Sequence, residues 1–353
     1  MSIIMEKSMK YDDIISINNK ALTKKYIQSL NKQEREALIE PVFNLLRENG
    51  FMYPDYSESV LNKEYKRIVD FKPDLEAADL FNNSSVGTKI CKYFCHSFYD
   101  ARDKNAETIP DIFNDDKKLK KTIRNRLGLD WLEYDQKGPG VNEAFNLSFR
   151  MIIQGFRSQR LVASTSMFKP DIAKYMCLKY SDEGNMVGDY SAGFGGRLLG
   201  AMSCNRKYIA TDPLTTDELE NMAKFYNFKN YKLIKSGSEN FIGEENSVDL
   251  YWSSPPYYDQ EYYSSLLTQA YNNGEDYFYN VYWNNTLDNI KHMLKPGKWF
   301  GLNVKNFPKM VDMAKDKFGP IIEEVKLRTI RNHLSKSAGI TKFESIYMFK
   351  NTK

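Results

Sequence analysis

The chain has 353 residues, with 50 Lys and Arg against 46 Asp and Glu, a formal net charge of +4, and 42% hydrophobic residues. These values exclude a disordered or fibrous chain and suit two domains, or one large domain with an elaboration. No apolar run reaches the roughly 18 to 20 residues that a membrane span needs. The opening MSIIMEKSMKYDD has no signal-peptide core, and four cysteines (Cys91, Cys95, Cys177, Cys204) do not make a disulfide scaffold. A cytoplasmic protein is expected. By segment the charge is uneven: residues 1–150 are neutral, 151–290 carry −5 and 291–353 carry +9. A basic C-terminal segment hints at a polyanionic partner, although a solvated Lys-rich surface explains it equally well.

The first 130 residues read as mostly helical. In KKYIQSLNKQEREALIEPVFNLLRENG, Ile27, Leu30, Leu38, Ile39, Val42, Leu45 and Leu46 recur at helical intervals, and Asn49-Gly50 supplies a stop. DDKKLKKTIRNRLG (115–128) predicts a short helix, acids first and bases after, as the helix dipole prefers. QKGPG (136–140) is the clearest linker signal. It divides a mainly helical region, 1–140, from an α/β domain, 141–353.

The rhythm then changes. Strands are predicted at MVGDY (186–190), KYIATD (207–212), YKLIKSGS (231–238), SVDLYWSS (247–254) and KWFGLNVKNF (298–307). Helices are predicted at 217–228 and at 283–298, the second stopped by Pro296-Gly297. Segments 321–330 and 343–350 form a terminal antiparallel pair. This alternation predicts a doubly wound, mostly parallel sheet with ligands at the carboxyl ends of its strands.

Two constellations carry chemistry. Asp189-Tyr190-Ser191-Ala192-Gly193-Phe194-Gly195-Gly196-Arg197 joins a strand to a helix. Its glycines let the backbone approach a ligand, and the new helix offers unpaired N–H groups. Asp212 ends the next strand, about 20 residues on, where a carboxylate can accept ribose hydroxyls. The turn alone could serve only tight packing; its context and Asp212 favour an adenosine-type cofactor. Neither a phosphate loop nor G-x-G-x-x-G spacing is present, so a dinucleotide is less expected. The second constellation is Ser253-Ser254-Pro255-Pro256-Tyr257-Tyr258-Asp259, after the fourth strand. Two prolines end the ladder in a rigid turn. Acceptor oxygens followed by an aromatic ring suit a planar group bearing an amine. A surface turn with incidental tyrosines is the plainer alternative.

Ser254-Pro255-Pro256-Tyr257 resembles the [S/N/D]-P-P-[Y/F/W] motif of the S-adenosyl-L-methionine-dependent amino-group DNA methyltransferases. Asp189 to Gly196, with Ala192, Gly193 and Gly195, looks like that family's first cofactor motif, and Asp212 like its ribose-binding acid. Phe168-Lys169-Pro170 looks like the segment that closes over the methionine end. Ser238-Glu239 sits where the family has a looser adenine contact. The resemblance covers about residues 157–350, and RSQRLVASTSMFKPDIAKYM with the later motifs is similar to predicted DNA methylases of bacteriophages and mobile elements. It implies a Rossmann-like methyltransferase sheet, S-adenosyl-L-methionine as cofactor and DNA as partner. Positions 190 and 191 depart from the pattern, with Tyr and Ser where many members have Pro and Phe or Cys. No target-recognition insertion is recognisable. Residues 1–140, the Tyr-rich stretch 257–282 and the basic C-terminal segment are candidates for reading DNA.

The mechanism implied is direct. Ser254 and the Pro255 carbonyl accept hydrogen bonds from the exocyclic amine of a flipped-out base, Tyr257 stacks on it, and the nitrogen takes the methyl group by in-line displacement of the sulfur. Members with Ser-Pro-Pro-Tyr mostly methylate cytosine N4, so that atom is favoured over adenine N6. The basic segment would hold phosphates. Rival readings are methylation of RNA or of a glutamine amide, and a catalytically silent DNA-binding protein.

Weaker features add little. Cys91, Cys95 and His96 lack a second ligand pair, so buried thiols are expected and no metal. The cations between Lys117 and Arg126 read as a solvated helix face. The aromatics between Tyr262 and Trp283 could stack bases or pack a core.

Overall fold

The computed structural model describes residues 9–77, 79–81, 84–134, 144–162, 167–258, 260–265, 268–305, 307–330 and 341–353. The linker signal 136–140, part of the stretch before Met167, Asp259 and His333 lie outside them. The chain divides into two units, Met1–Tyr56 with Tyr99–Thr165, and Ser57–Phe98 with Ser166–Lys353. This is not a single cut near residue 140. Residues 57–98 belong with the sheet because specific groups tie them there. The Lys174 ammonium donates to the Ile68 and Val69 carbonyls at 2.9 and 2.6 Å, satisfying the end of helix Glu58–Asp70. Tyr65 stacks on Tyr226, with centroids 4.3 Å apart.

The first unit is helical as expected. The periodic stretch splits into Lys24–Ser29, Lys32–Glu36 and Ile39–Asn49 because Asn31 and Glu34 form a reciprocal cap that starts a new helix. Gly50 ends the third at φ 69°. Ile27, Val42, Leu46, Leu119, Ile123, Ile152 and Phe156 are buried in its core. In helix Asp116–Arg126 the cations are engaged: Lys120 with Glu40 at 2.7 Å, Arg124 with Glu36 at 3.4 Å, and buried Arg126 with the Ser158 hydroxyl.

The second unit holds an eight-stranded sheet. Its strands, in chain order, are β1 (Asp79–Phe81), β2 (Met186–Asp189), β3 (Lys207–Thr211), β4 (Tyr231–Ile234), β5 (Val248–Ser253), β6 (Leu294–Val304), β7 (Glu323–Ile330) and β8 (Thr341–Lys350). Their order across the sheet is β1-β7-β8-β6-β5-β2-β3-β4. All neighbours are parallel except β8, which runs against both β6 and β7. The chain's last strand is thus antiparallel, as expected, but it lies inside the sheet rather than at its rim. Helices α1 (Pro170–Tyr180), α2 (Gly196–Met202), α3 (Thr216–Phe225), α4 (Asn284–Met293) and α5 (Pro308–Phe318) follow or link the strands. One sheet face packs Tyr251, Phe300 and Leu302 against Leu287, Ile290, Met310 and Phe318 of α4 and α5. Across the other face α1 and α2 approach so closely that a Cβ on Gly200 would lie 2.5 Å from that of Ala173. This is the doubly wound α/β architecture.

Candidate active site

From β2 the chain builds outward through β3 to β4, then crosses back to β5 on the other side of β2. The carboxyl ends of β2 and β5 therefore flank the point where strand order reverses, and ligands bind such sheets there. A cleft opens at that point. It encloses about 1140 Å³ of space free of protein atoms, its mouth included. Nine residues singled out in the sequence line it: Phe168, Ala192, Gly193, Asp212, Glu239, Ser254, Pro255, Pro256 and Tyr257. Asp189, Gly195 and Pro170 lie outside the lining.

The glycine turn is held by packing and by one buried carboxylate. Gly195 sits at φ 79°, and a Cβ there would strike Met222 and Leu219. A Cβ on Gly196 would collide with the Phe168 carbonyl. Asp189 faces inward and is saturated. Its Oδ1 accepts from the Ser191 N–H (3.1 Å) and the Ser253 hydroxyl (2.6 Å); its Oδ2 accepts from Arg197 Nε (2.7 Å) and the Tyr208 hydroxyl (2.5 Å). Four donors fill the lone pairs of a carboxylate. Asp189 thus fastens the turn to three other elements instead of meeting a ligand. Arg197 also donates to the Ser191 carbonyl and lies over the Phe168 ring, 5.3 Å from its centroid. It lines the cleft and was not singled out in the sequence, although a cation in the first turn of an apolar helix opposes the dipole and is a signal in itself. Pro170 opens α1, where its missing N–H costs nothing.

Two acids form the wall on the β3–β4 side. Asp212 accepts N–H groups from Gly193 (2.9 Å), Leu214 (2.8 Å) and Thr215 (2.9 Å), so about one acceptor position remains for a ligand. Burial raises its carboxyl pKa above the usual range, against the lowering pull of those amides. Glu239 is 8% exposed. Its Oε1 accepts from the Tyr277 hydroxyl at 3.2 Å, while its buried Oε2 has no hydrogen-bond partner among the described residues. Burial raises this carboxyl too.

The opposite wall is the Pro-Pro turn after β5. The Tyr190 hydroxyl donates to the Ser253 carbonyl at 3.0 Å and anchors the strand end below it. Tyr257 stacks on Phe307, centroids 5.3 Å apart and planes 19° apart, and its hydroxyl donates to Glu344 at 3.1 Å. Burial, with Glu344 beside it, pushes the Tyr257 phenol well up. Asn303 and Glu344, from β6 and β8, also line this side. The Tyr-rich stretch divides in use: Tyr263 and Tyr282 line the cleft, whereas Phe278 and Trp283 are buried in the core.

The remaining sequence features are quiet. Cys91, in the middle of helix Thr88–Phe94, and Cys95, at its C-terminal cap, are buried, and burial pushes the Cys91 thiol up to about 12. Among the described residues no group of three or more His, Cys, Asp or Glu could hold a metal ion, and no helix is long and apolar enough to cross a membrane. Part of the basic C-terminal charge meets the acidic segment before it. Lys295 pairs with Asp249 at 2.7 Å, Lys353 with Glu245 at 3.5 Å, and Lys317 with Asp288. Lys305 and Lys309 are exposed on either side of Phe307, and Lys309 lies 3.9 Å from the Tyr279 ring centroid.

No family model matches the chain, and no curated protein matches it. Among solved structures it is similar to the tRNA (m1A58) methyltransferase of Aquifex aeolicus, with TM-score 0.37 and 12% identity over 54% of this chain and 71% of that one. A SAM-dependent O-methyltransferase of Thermotoga maritima gives TM-score 0.37 and 14% identity over 54% and 68%. The geranyl diphosphate C-methyltransferase of Streptomyces coelicolor gives TM-score 0.37 and 8% identity over 51% and 78%. Likenesses this distant say nothing of what this chain binds; its fold rests on its own strand order.

Proposed function

We propose that this chain is a methyltransferase that moves the methyl group of S-adenosyl-L-methionine to the exocyclic amine of a flipped-out DNA base, cytosine N4 ahead of adenine N6. The observation that carries the reading is that the glycine turn and Ser254-Pro255-Pro256-Tyr257, 60 residues apart in sequence, line one cleft at the strand-order reversal. The residues fit the cofactor. The turn gives backbone room for an adenosine ligand. Asp212 keeps about one acceptor position for a ribose hydroxyl. The unpartnered Glu239 Oε2 suits an adenine amino group. Phe168 and Arg197 stand at the methionine end.

When bound, S-adenosyl-L-methionine supplies an electrophilic methyl group on a sulfonium. The protein's part is positioning and charge stabilisation. Ser254 and the Pro255 carbonyl accept N–H bonds from the amine and so localise its lone pair, while Tyr257, backed by Phe307, offers a ring on which the base stacks. A base within a duplex is out of reach, so it must leave the stack. Lys305 and Lys309, exposed beside Phe307, would meet backbone phosphates. The test is transfer of label from tritiated S-adenosyl-L-methionine to DNA, RNA and protein acceptors in parallel. Label in DNA is expected. Label only in RNA or protein contradicts the substrate, and calorimetry without cofactor binding contradicts the enzyme.

A further inference from the structure

The mechanism above leaves the buried side-chain oxygen of Asn303, in the cleft wall, unused. Asn303 lies on β6 in the run Trp299-Phe300-Gly301-Leu302-Asn303-Val304, otherwise apolar. It is 1% exposed and lines the cleft. Its Nδ2 donates to the Ser345 carbonyl at 3.1 Å, which sets the direction of the amide. Its Oδ1 has no partner among the described residues. A buried acceptor without a donor is costly, and an aliphatic side chain would serve this strand better for folding alone.

We infer that Asn303 Oδ1 accepts one hydrogen of the target amine, the other being shared by Ser254 and the Pro255 carbonyl, and selects bases that carry such an amine. The inference rests on the proposed function. Pairing of β5 with β6 sets Ser253 opposite Leu302, and the residues that follow, Ser254 and Asn303, both line the cleft at the sheet's carboxyl edge. A primary amine has two N–H bonds. Acceptors on two adjacent strands can take one each, which draws the nitrogen towards a tetrahedral form with its lone pair free for the methyl group. The same pair discriminates. A base with a carbonyl at that edge, thymine or uracil, would set its oxygen against Asn303 Oδ1 with no hydrogen between them. The ligand class of this subsite is therefore an amino-bearing base.

The experiment compares wild type, Asn303→Leu and Asn303→Ala with tritiated S-adenosyl-L-methionine and mixed-sequence DNA, with cofactor affinity and melting temperature measured alongside. Both variants are expected to lose about 10- to 100-fold in methyl transfer, the range for one lost buried hydrogen bond. The loss should fall mainly in kcat, with cofactor Kd unchanged; the alanine variant gives the same reading without added bulk should leucine disturb the fold. Wild-type rates in either folded variant overturn the inference alone. A wild type that binds cofactor but labels no DNA overturns the function on which it rests.

Discussion

Arg197 and Asp189 form an ion pair sealed inside the fold, with Nε 2.7 Å from Oδ2 and side chains 5% and 1% exposed. The pair joins the first turn of α2 to the end of β2, and the glycine turn spans the gap. Removing one partner of such a pair leaves an uncompensated buried charge. Asp189→Leu should therefore lower unfolding free energy by about 3–5 kcal/mol in denaturant titration. Adding Arg197→Met should recover part of the loss, because the second charge then goes as well. Additive losses would show that the two do not act as a pair.

Glu239 predicts a pH dependence. Burial holds its carboxyl pKa above the ordinary range. The folded protein takes up this proton at a higher pH than the unfolded chain does. The group's contribution to stability is thus fully present below the unfolded pKa and is lost as pH rises through the folded one. Ligand binding follows the opposite sense, since it uses the ionised form. Cofactor affinity should fall with decreasing pH sooner than an ordinary glutamate allows. Glu239→Gln should flatten that profile, weaken binding at pH 7 by about tenfold, and raise the melting point of the free protein by about 2 °C. Binding titrations from pH 5 to 8 check the first two; a profile as steep as wild type would remove Glu239 from the cofactor wall.

Tyr257 separates stacking from cofactor binding. Tyr257→Ala removes the ring that would meet the base, a contact worth about 1–3 kcal/mol. Methyl transfer should drop about 10- to 100-fold while calorimetric affinity for S-adenosyl-L-methionine stays within twofold. Tyr257→Phe keeps the ring, deletes the hydroxyl that donates to Glu344, and should cost less than tenfold. Equal rates in the alanine variant and wild type would rule out stacking.

The basic segment makes a quantitative claim. Three of its lysines are paired with Asp249, Glu245 and Asp288, while Lys305 and Lys309 are exposed beside Phe307. The double variant Lys305→Ala, Lys309→Ala should weaken DNA binding and reduce the slope of log K against log salt by about 2. An unchanged slope would place the phosphate contacts elsewhere.

The alternating strands and both motif turns were legible because each has a local signature: apolar runs, a glycine cluster and a proline pair. What was hidden depends on distant partners. Strand β1 has only three residues and no periodicity. Asp189 stands where a cofactor ligand is expected, yet Ser253, Tyr208 and Arg197 converge on it from other elements. The near-neutral total charge also concealed internal pairing. Arg197 and Asn303 did leave a trace: each is a polar residue in an apolar stretch, a local conflict that folding alone does not reward.

The central claim is tested most directly by nucleoside analysis. DNA incubated with the protein and S-adenosyl-L-methionine is digested and its nucleosides separated by mass. The account predicts N4-methyldeoxycytidine, with N6-methyldeoxyadenosine as the next candidate, and neither with the Ser254→Ala, Tyr257→Ala double variant. Folded, cofactor-binding protein that yields no methylated amine in DNA would contradict it.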